Sequence, residues 1–147
     1  MPEVTISVHG TPAPQGSKRH VGNGVMVESS KKVKPWRSAV RDAAEKTGTP
    51  MMLGPVAIDV TFLLSRPKGH YGTGRNSVNI RDSAPAHPAV KPDIDKLLRS
   101  TLDALTEAGI YRDDAQIVIV GAVKQYAHLG EPQGAEITIR EIWEQEP

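Results

Sequence analysis

Two pairs of aspartates in the second half of the chain could together perform metal-dependent hydrolysis. Asp93 and Asp95 are separated by one residue, and Asp113 and Asp114 are adjacent. Carboxylates held a few ångström apart repel one another unless a cation lies between them. Mg²⁺ and Mn²⁺ are hard ions that take carboxylate oxygens, and they can polarise a phosphate and lower the pKa of a bound water. If the fold brings the pairs together, the four side chains predict a metal-dependent hydrolytic site.

The first pair lies at the start of the most regular predicted helix, which ends near Gly109. Asp95, Arg99 and Asp103 are spaced four residues apart, so we expect them on one polar face. Arg99 would then face the same pocket, where it could hold a phosphate, although it is too basic to deprotonate water. The opposite face carries the apolar residues at helical spacing, which are Ile94, Leu97, Leu98, Thr101, Leu102 and Leu105.

Each pair of aspartates also has a purely structural explanation. Asp93 follows a proline and suits a helix N-cap, while Asp95 complements the helix dipole. Asp113 and Asp114 could form a turn between a helix and a strand and do nothing else. Arg99 could simply pair with the aspartates one turn before and after it.

The rest of the pattern predicts a single α+β domain over residues 1–147, with a mixed β-sheet, flanking helices and the order β-α-β-α-β-β. Alternating or β-branched runs predict strands at residues 4–8, at Val56–Leu64 and at 135–143, and a continuous apolar run predicts a buried strand at 116–126. A first helix is predicted at 34–46. Residues 10–33 and 66–90 show neither the helical nor the strand period of apolar residues. Connections that long are usually functional or disordered.

Basic residues are concentrated at residues 14–41 and 66–91, which overlap these two connections. Residues 14–41 hold seven Lys or Arg against one acid, although the net charge of the chain is only +1. A local basic patch attracts a phosphate backbone whatever the net charge, so DNA binding is one interpretation and a solvated basic loop is the other. The candidate DNA-binding residues here are Lys18, Arg19, Lys31, Lys32, Lys34, Arg37 and Arg75.

Composition excludes several other classes of site. The chain has no cysteine, so it has neither disulfides nor thiolate metal ligands. Its five histidines lack the spacing of a zinc site, and six aromatic residues are too few for a single-strand stacking platform. No signal-peptide pattern or long apolar run is present, so we expect a cytoplasmic protein without a membrane span.

Residues 91–118 also resemble the core motif of RusA-type Holliday junction resolvases. In outline, that family has two acids one residue apart, then Asp-Ala-Leu, then an acidic pair followed by x-Gln at the start of a strand. Asp93 and Asp95 match the first two acids, Asp103 the aspartate of Asp-Ala-Leu, and Asp113 and Asp114 the pair. The segment from Gly10 to Arg19 is similar to the proline-rich amino-terminal stretch of the family. The motifs cover about a third of the chain.

The resemblance implies a Mg²⁺-dependent endonuclease, with Mn²⁺ as a possible substitute, in which a metal-activated water attacks a phosphodiester of branched DNA. It implies that Asp93, Asp95 and Asp114 are catalytic metal ligands, that Asp113 is a further metal ligand supporting them, and that a homodimer acts on the four-way junction. Lys124 resembles a lysine that the family carries farther along the strand, and it is a candidate DNA contact.

The chain departs from the family pattern at two positions. Lys96 replaces the usual asparagine and is a candidate DNA contact, and Arg99 replaces the family's lysine as a candidate catalytic residue. Arginine offers a planar fork where lysine offers a compact charge. Three alternatives therefore stay open: a non-catalytic protein that binds branched DNA, a nuclease that acts on flaps or replication forks, and an acidic turn without a site.

Overall fold

Residues 2–16, 18–20, 26–28 and 31–142 are described by the computed structural model, and they form two sheets and two helices. In chain order, the elements are β1 (Glu3–His9), β2 (Lys18–His20), β3 (Met26–Glu28), α1 (Val33–Lys46), β4 (Val56–Leu64), α2 (Ile94–Glu107), β5 (Ile117–Tyr126) and β6 (Gly134–Glu141). Short 3-10 turns lie at Lys68–His70, Gly74–Asn76 and Asp114–Gln116.

The main sheet has the strand order β1-β6-β4-β5. β6 pairs antiparallel with β1 and β4, whereas β4 and β5 are parallel, so the sheet is mixed. The predicted α+β class is confirmed, and the element order agrees with the prediction. The small sheet of β2 and β3 lies in the connection expected to have no regular structure. Strands of three residues are too short to produce a periodic signal.

The helices pack on each other and cover one side of the sheet through their apolar faces. Trp36 and Val40 of α1 and Leu97 of α2 are buried in the same core as Ile58 of β4. The indole Nε1 of Trp36 donates a hydrogen bond of 3.1 Å to the buried hydroxyl of Thr101 on α2. This contact fixes α1 against the helix that carries the predicted polar face.

The interpretation of 116–126 as a buried strand is wrong. β5 is an edge strand, and four of its apolar side chains are 46–60% exposed: Val118, Ile119, Val120 and Val123. A continuous apolar run indicates a strand covered by something, but it does not say whether the cover comes from the same chain.

The ends of other elements differ slightly from the prediction. The last strand stops at Glu141, and Trp143, where its predicted range ended, lies outside the described residues. In the part of the chain that the structure describes, neither helix is long and apolar enough to cross a bilayer.

Candidate active site

An open cavity of about 580 Å³ lies between the polar face of α2 and the turn that precedes β5. Its lining residues are Gln15, Asp95, Leu98, Arg99, Leu102, Asp103 and Asp114. The prediction that Asp95, Arg99 and Asp103 share one face is therefore confirmed. Because Asp114 lines the same cavity, one aspartate from each predicted pair is present there, facing an arginine.

Contacts at the end of α2 bring the second pair of aspartates close to the helix that carries Asp95. The amide of Met52 donates to the carbonyl of Ile110 at 2.8 Å, which holds the chain just after the helix. The Tyr111 hydroxyl donates to the carbonyl of Leu102 at 3.0 Å and ties the same segment back to α2. The hydroxyl of Thr106, also on α2, hydrogen-bonds one carboxylate oxygen of Asp114. That contact orients the carboxylate in the cavity.

The adjacent aspartates have different partners. Asp113 caps the 3-10 turn, because its carboxylate accepts from the amide of Ala115 at 2.8 Å. The side chain of Gln116 completes a capping box by accepting from the amide of Asp113 at 2.9 Å. The structural explanation therefore holds for Asp113, which is not among the residues lining the cavity, whereas Asp114 faces into it.

Asp93 occupies the N-cap position of α2, but its side chain makes no capping hydrogen bond. It is exposed, two residues before Asp95, and does not line the cavity. Of the four carboxylates expected to share one pocket, the structure thus places Asp95 and Asp114 there and leaves Asp93 and Asp113 outside. The separation arises because α2 begins after Asp93 and because the side chain of Asp113 caps the 3-10 turn that begins at Asp114.

Lys124 lies beneath the entrance to α2. Its ammonium group donates to the carbonyl of Val90 at 2.7 Å and to that of Pro92 at 2.9 Å. Both carbonyls belong to the segment that leads directly into Asp93. Lys124 therefore ties β5 to the backbone that carries the first acidic pair, a role that the sequence did not suggest.

Burial and neighbouring charges shift the pKa of two groups beside the cavity. Burial raises the pKa of the Asp103 carboxyl; the positive charges of Arg37 and Arg99 oppose that rise, and Asp114 adds to it. Burial also raises the pKa of Tyr111 to about 12. A hydrogen bond with Thr106 opposes that rise, and the carboxylates of Asp114 and Asp103 add to it. Tyr111 is therefore a neutral hydrogen-bond donor at physiological pH.

The proline-rich amino-terminal segment docks on α2 and supplies Gln15 to the cavity. The amide of Gln15 donates to the carbonyl of Lys96 at 3.0 Å, and the Ser100 hydroxyl donates to that of Ala13 at 2.7 Å. Sequence reasoning did not select Gln15 as a site residue. The signal was the motif match over residues 10–19, which contains it.

Most of the predicted DNA-binding cations among the described side chains are exposed, and they lie on several elements. Lys31 and Lys32 precede α1, where they line a cavity of about 440 Å³ with His9. Lys34, Lys96 and Arg75 are also exposed, on α1, α2 and the Gly74–Asn76 turn. Arg37 instead forms an ion pair with Glu107 of α2. The side chains of Lys18 and Arg19 lie outside the described part of the chain.

The donor set of the cavity suits an ion that needs few protein ligands. No group of three or more Asp, Glu or His side chains in the described residues is arranged as a metal-binding cluster. A site closed by protein ligands alone therefore does not fit. Mg²⁺, however, is commonly held by one or two carboxylates together with waters and substrate phosphates. Asp95 and Asp114 facing one open cavity match that requirement.

A family comparison covers most of the chain. The model described as endodeoxyribonuclease RusA matches residues 9–140 of 147. The match includes the amino-terminal segment, both helices and the cavity. No curated protein matches the chain.

Proposed function

Because the chain belongs to the endodeoxyribonuclease RusA family, we propose that it is a Mg²⁺-dependent endonuclease that resolves Holliday junctions or related branched DNA. The observation that carries the proposal is the cavity in which Asp95 and Asp114 face Arg99. The family motif assigns Asp95 and Asp114 to catalysis, and these two aspartates come from separate elements. Arg99 occupies the position at which the family has a lysine. An acidic turn without a site would give no reason for this convergence.

Each side chain of the cavity has a role that follows from its chemistry. Asp95 and Asp114 would hold Mg²⁺, or Mn²⁺ in its place. The family motif also assigns Asp93 as a ligand, and in this structure its side chain lies outside the cavity, at the entrance of α2. When bound, the ion supplies Lewis-acid polarisation of the phosphate and lowers the pKa of water. Arg99 would pair with the phosphate and balance its growing negative charge. Asp113 supports Asp114 by fixing the turn that positions it.

The DNA would be held mainly through its phosphates. The exposed cations before α1, on α2 and in the Gly74–Asn76 turn would contact the backbone of the junction arms, and junction shape would provide selectivity. A four-way junction has approximate two-fold symmetry, and its resolution needs two matched nicks. We therefore propose that the protein acts as a homodimer.

A substrate panel tests this proposal and separates it from its rivals. Labelled four-way junction, flap, fork and linear duplex are incubated with the protein and Mg²⁺, and the nicks are mapped on each strand. We expect symmetric nicks near the crossover of the junction and little cutting of duplex. Preferred cutting of flaps or forks would assign a different target. Tight junction binding without product would show that the fold is kept and the chemistry lost.

Lys124 is expected to affect cleavage by positioning the segment that carries Asp93 and Asp95. Lys124→Met removes two hydrogen bonds to the backbone leading into Asp93, so Asp93 and Asp95 lose their fixed placement. We expect the single-turnover cleavage rate to fall about 10- to 100-fold, as when the supporting contacts of metal ligands are removed, with a smaller change in junction Kd.

Lys96→Met provides the comparison for Lys124, because Lys96 is an exposed cation on α2. It should raise the junction Kd and lower the salt dependence of binding by about one phosphate contact. If Lys124→Met has this binding phenotype with an unchanged rate, Lys124 contacts DNA and does not position the aspartates.

Arg99 is expected to tolerate lysine but not alanine. Arg99→Ala removes the cation that faces the two carboxylates in the cavity, and we expect the cleavage rate to fall about 100-fold. Arg99→Lys restores the residue usual in the family and should keep most of the activity. Single-turnover rates at saturating protein measure both variants, and an unchanged rate in Arg99→Ala would exclude Arg99 from the chemistry.

A further inference from the structure

Gln15 differs in chemistry from the other residues that line the active-site cavity. Three of those residues are aspartates, two are leucines and one is Arg99. Ionised carboxylates only accept hydrogen bonds and leucine side chains form none, whereas a glutamine amide has two N–H donors as well as a carbonyl acceptor. Among the described residues that line the cavity, Arg99 and Gln15 therefore have the only side chains that can donate a hydrogen bond to an anion.

The backbone on both sides of Pro14 is fixed on α2. The amide N–H of Gln15 donates to the carbonyl of Lys96 at 3.0 Å, and the carbonyl of Ala13 accepts from the Ser100 hydroxyl at 2.7 Å. Ala13 is 1% exposed and belongs to the core. The ring of Pro14 restricts the chain between the two contacts. Gln15 consequently enters the cavity from a rigid segment, as a preorganised donor requires.

The docking of this segment depends on its backbone and on Ala13. Both hydrogen bonds use backbone atoms of the segment, and Ala13 makes the contact with the core. Neither contact needs an amide side chain at position 15. Lys96 directly follows Asp95 in the first turn of α2, so the segment is attached to the helix beside an aspartate of the site. The segment therefore brings an amide group to the place where cleavage is proposed.

We propose that the side-chain amide of Gln15 donates a hydrogen bond to a non-bridging oxygen of the scissile phosphate. The inference rests on the proposed function and adds a contact with the substrate. Arg99 balances the charge of the phosphate, and Gln15 orients it. A neutral donor suits this position, because a second cationic side chain would compete with Mg²⁺ for Asp95 and Asp114. The hydrogen bond strengthens as negative charge grows on the phosphate oxygens, so its loss lowers the rate more than the affinity.

Two substitutions of similar size test the amide. Gln15→Met keeps the length of the side chain and removes its N–H donors, and we expect the single-turnover rate of junction cleavage to fall about tenfold or more with little change in junction Kd. Gln15→Glu keeps the shape, but its carboxylate cannot donate and repels the phosphate, so it should lose at least as much. Circular dichroism checks that both variants are folded. If Gln15→Glu instead cleaves as fast as the wild type, or needs less Mg²⁺, Gln15 is a metal ligand and the inference is wrong.

Phosphorothioate junctions provide a measurement that a structural role would not change. Sulphur replaces one non-bridging oxygen of the scissile phosphate at a time, and it accepts hydrogen bonds weakly. One of the two diastereomers should slow the wild type and have a clearly smaller effect on Gln15→Met. The reason is that two changes that remove the same contact are non-additive, whereas changes at independent sites add.

The outcomes separate this inference from the proposed function. Equal cleavage rates in the wild type and Gln15→Met, or equal slowing of both proteins by each sulphur, would overturn the inference and leave the nuclease standing. A wild type that binds the junction without cutting it would contradict the proposed function. The sulphur effect is then measured on junction Kd at the crossover phosphates. A rise in Kd that is present in the wild type and absent in Gln15→Met supports the contact, and an equal rise or no rise overturns it. A wild type that binds no junction overturns both proposals.

Discussion

Asp114→Asn is expected to lower the rate of junction cleavage by about 1,000-fold or more. The variant keeps the shape of the side chain but removes a charged oxygen ligand from the cavity. Metal ions contribute several kcal/mol of stabilisation to the transition state, and each 1.4 kcal/mol or so is a factor of ten in rate. Single-turnover cleavage of a labelled junction measures the loss, and a binding assay should show that the junction Kd is little changed.

The neighbouring position supplies the control. Asp113→Asn makes the same chemical change one residue away, but Asp113 caps a turn and does not line the cavity. Asparagine caps as well as aspartate, so the turn and the cleavage rate should be preserved. Equal losses of cleavage rate in Asp113→Asn and Asp114→Asn would mean that Asp113 is itself a metal ligand. The separate roles assigned to the two aspartates would then be wrong.

Trp36→Ala is expected to destabilise the protein by about 3–5 kcal/mol, because it leaves a large cavity between the helices. Trp36 is 1% exposed, and its indole donates to Thr101 on the helix that carries Asp95 and Arg99. Trp36→Phe keeps most of the volume and loses that hydrogen bond, so it should cost about 1–2 kcal/mol. Urea unfolding followed by circular dichroism measures both variants.

The relative losses of stability in Trp36→Ala and Trp36→Phe test how the indole packs between the helices. If Trp36→Ala were no more destabilising than Trp36→Phe, the indole would not fill the space between α1 and α2. Other contacts would then hold α2 and the active-site cavity beside it in place.

The parts of the site that could be predicted from sequence are those set by local periodicity. Asp95, Arg99 and Asp103 were expected on one face because residues four apart on a helix are neighbours. Trp36 and Val40 are also four residues apart on a helix, and both are buried in the core. The family motif then connected this face with Asp114, which lies in a separate turn.

Contacts between distant segments could not be predicted in the same way. Gln15 reaches the cavity because its segment docks on α2, and Lys124 reaches the entrance of α2 because β5 passes beneath it. The different roles of Asp113 and Asp114 depend on the path of one 3-10 turn. Likewise, an apolar run such as β5 has the same composition whether its cover comes from its own chain or from a partner.

The central claim is that Asp95 and Asp114 hold the ion that enables cleavage, and the most direct test is the dependence of junction cleavage on Mg²⁺ concentration. The single-turnover rate is measured from EDTA to saturating Mg²⁺ for the wild type, Asp95→Asn and Asp113→Asn. We predict no cleavage in EDTA, a saturable rise for the wild type and Asp113→Asn, and little or no activity at any concentration for Asp95→Asn. Cleavage in EDTA, or a Mg²⁺ dependence of Asp95→Asn equal to that of the wild type, would contradict the account.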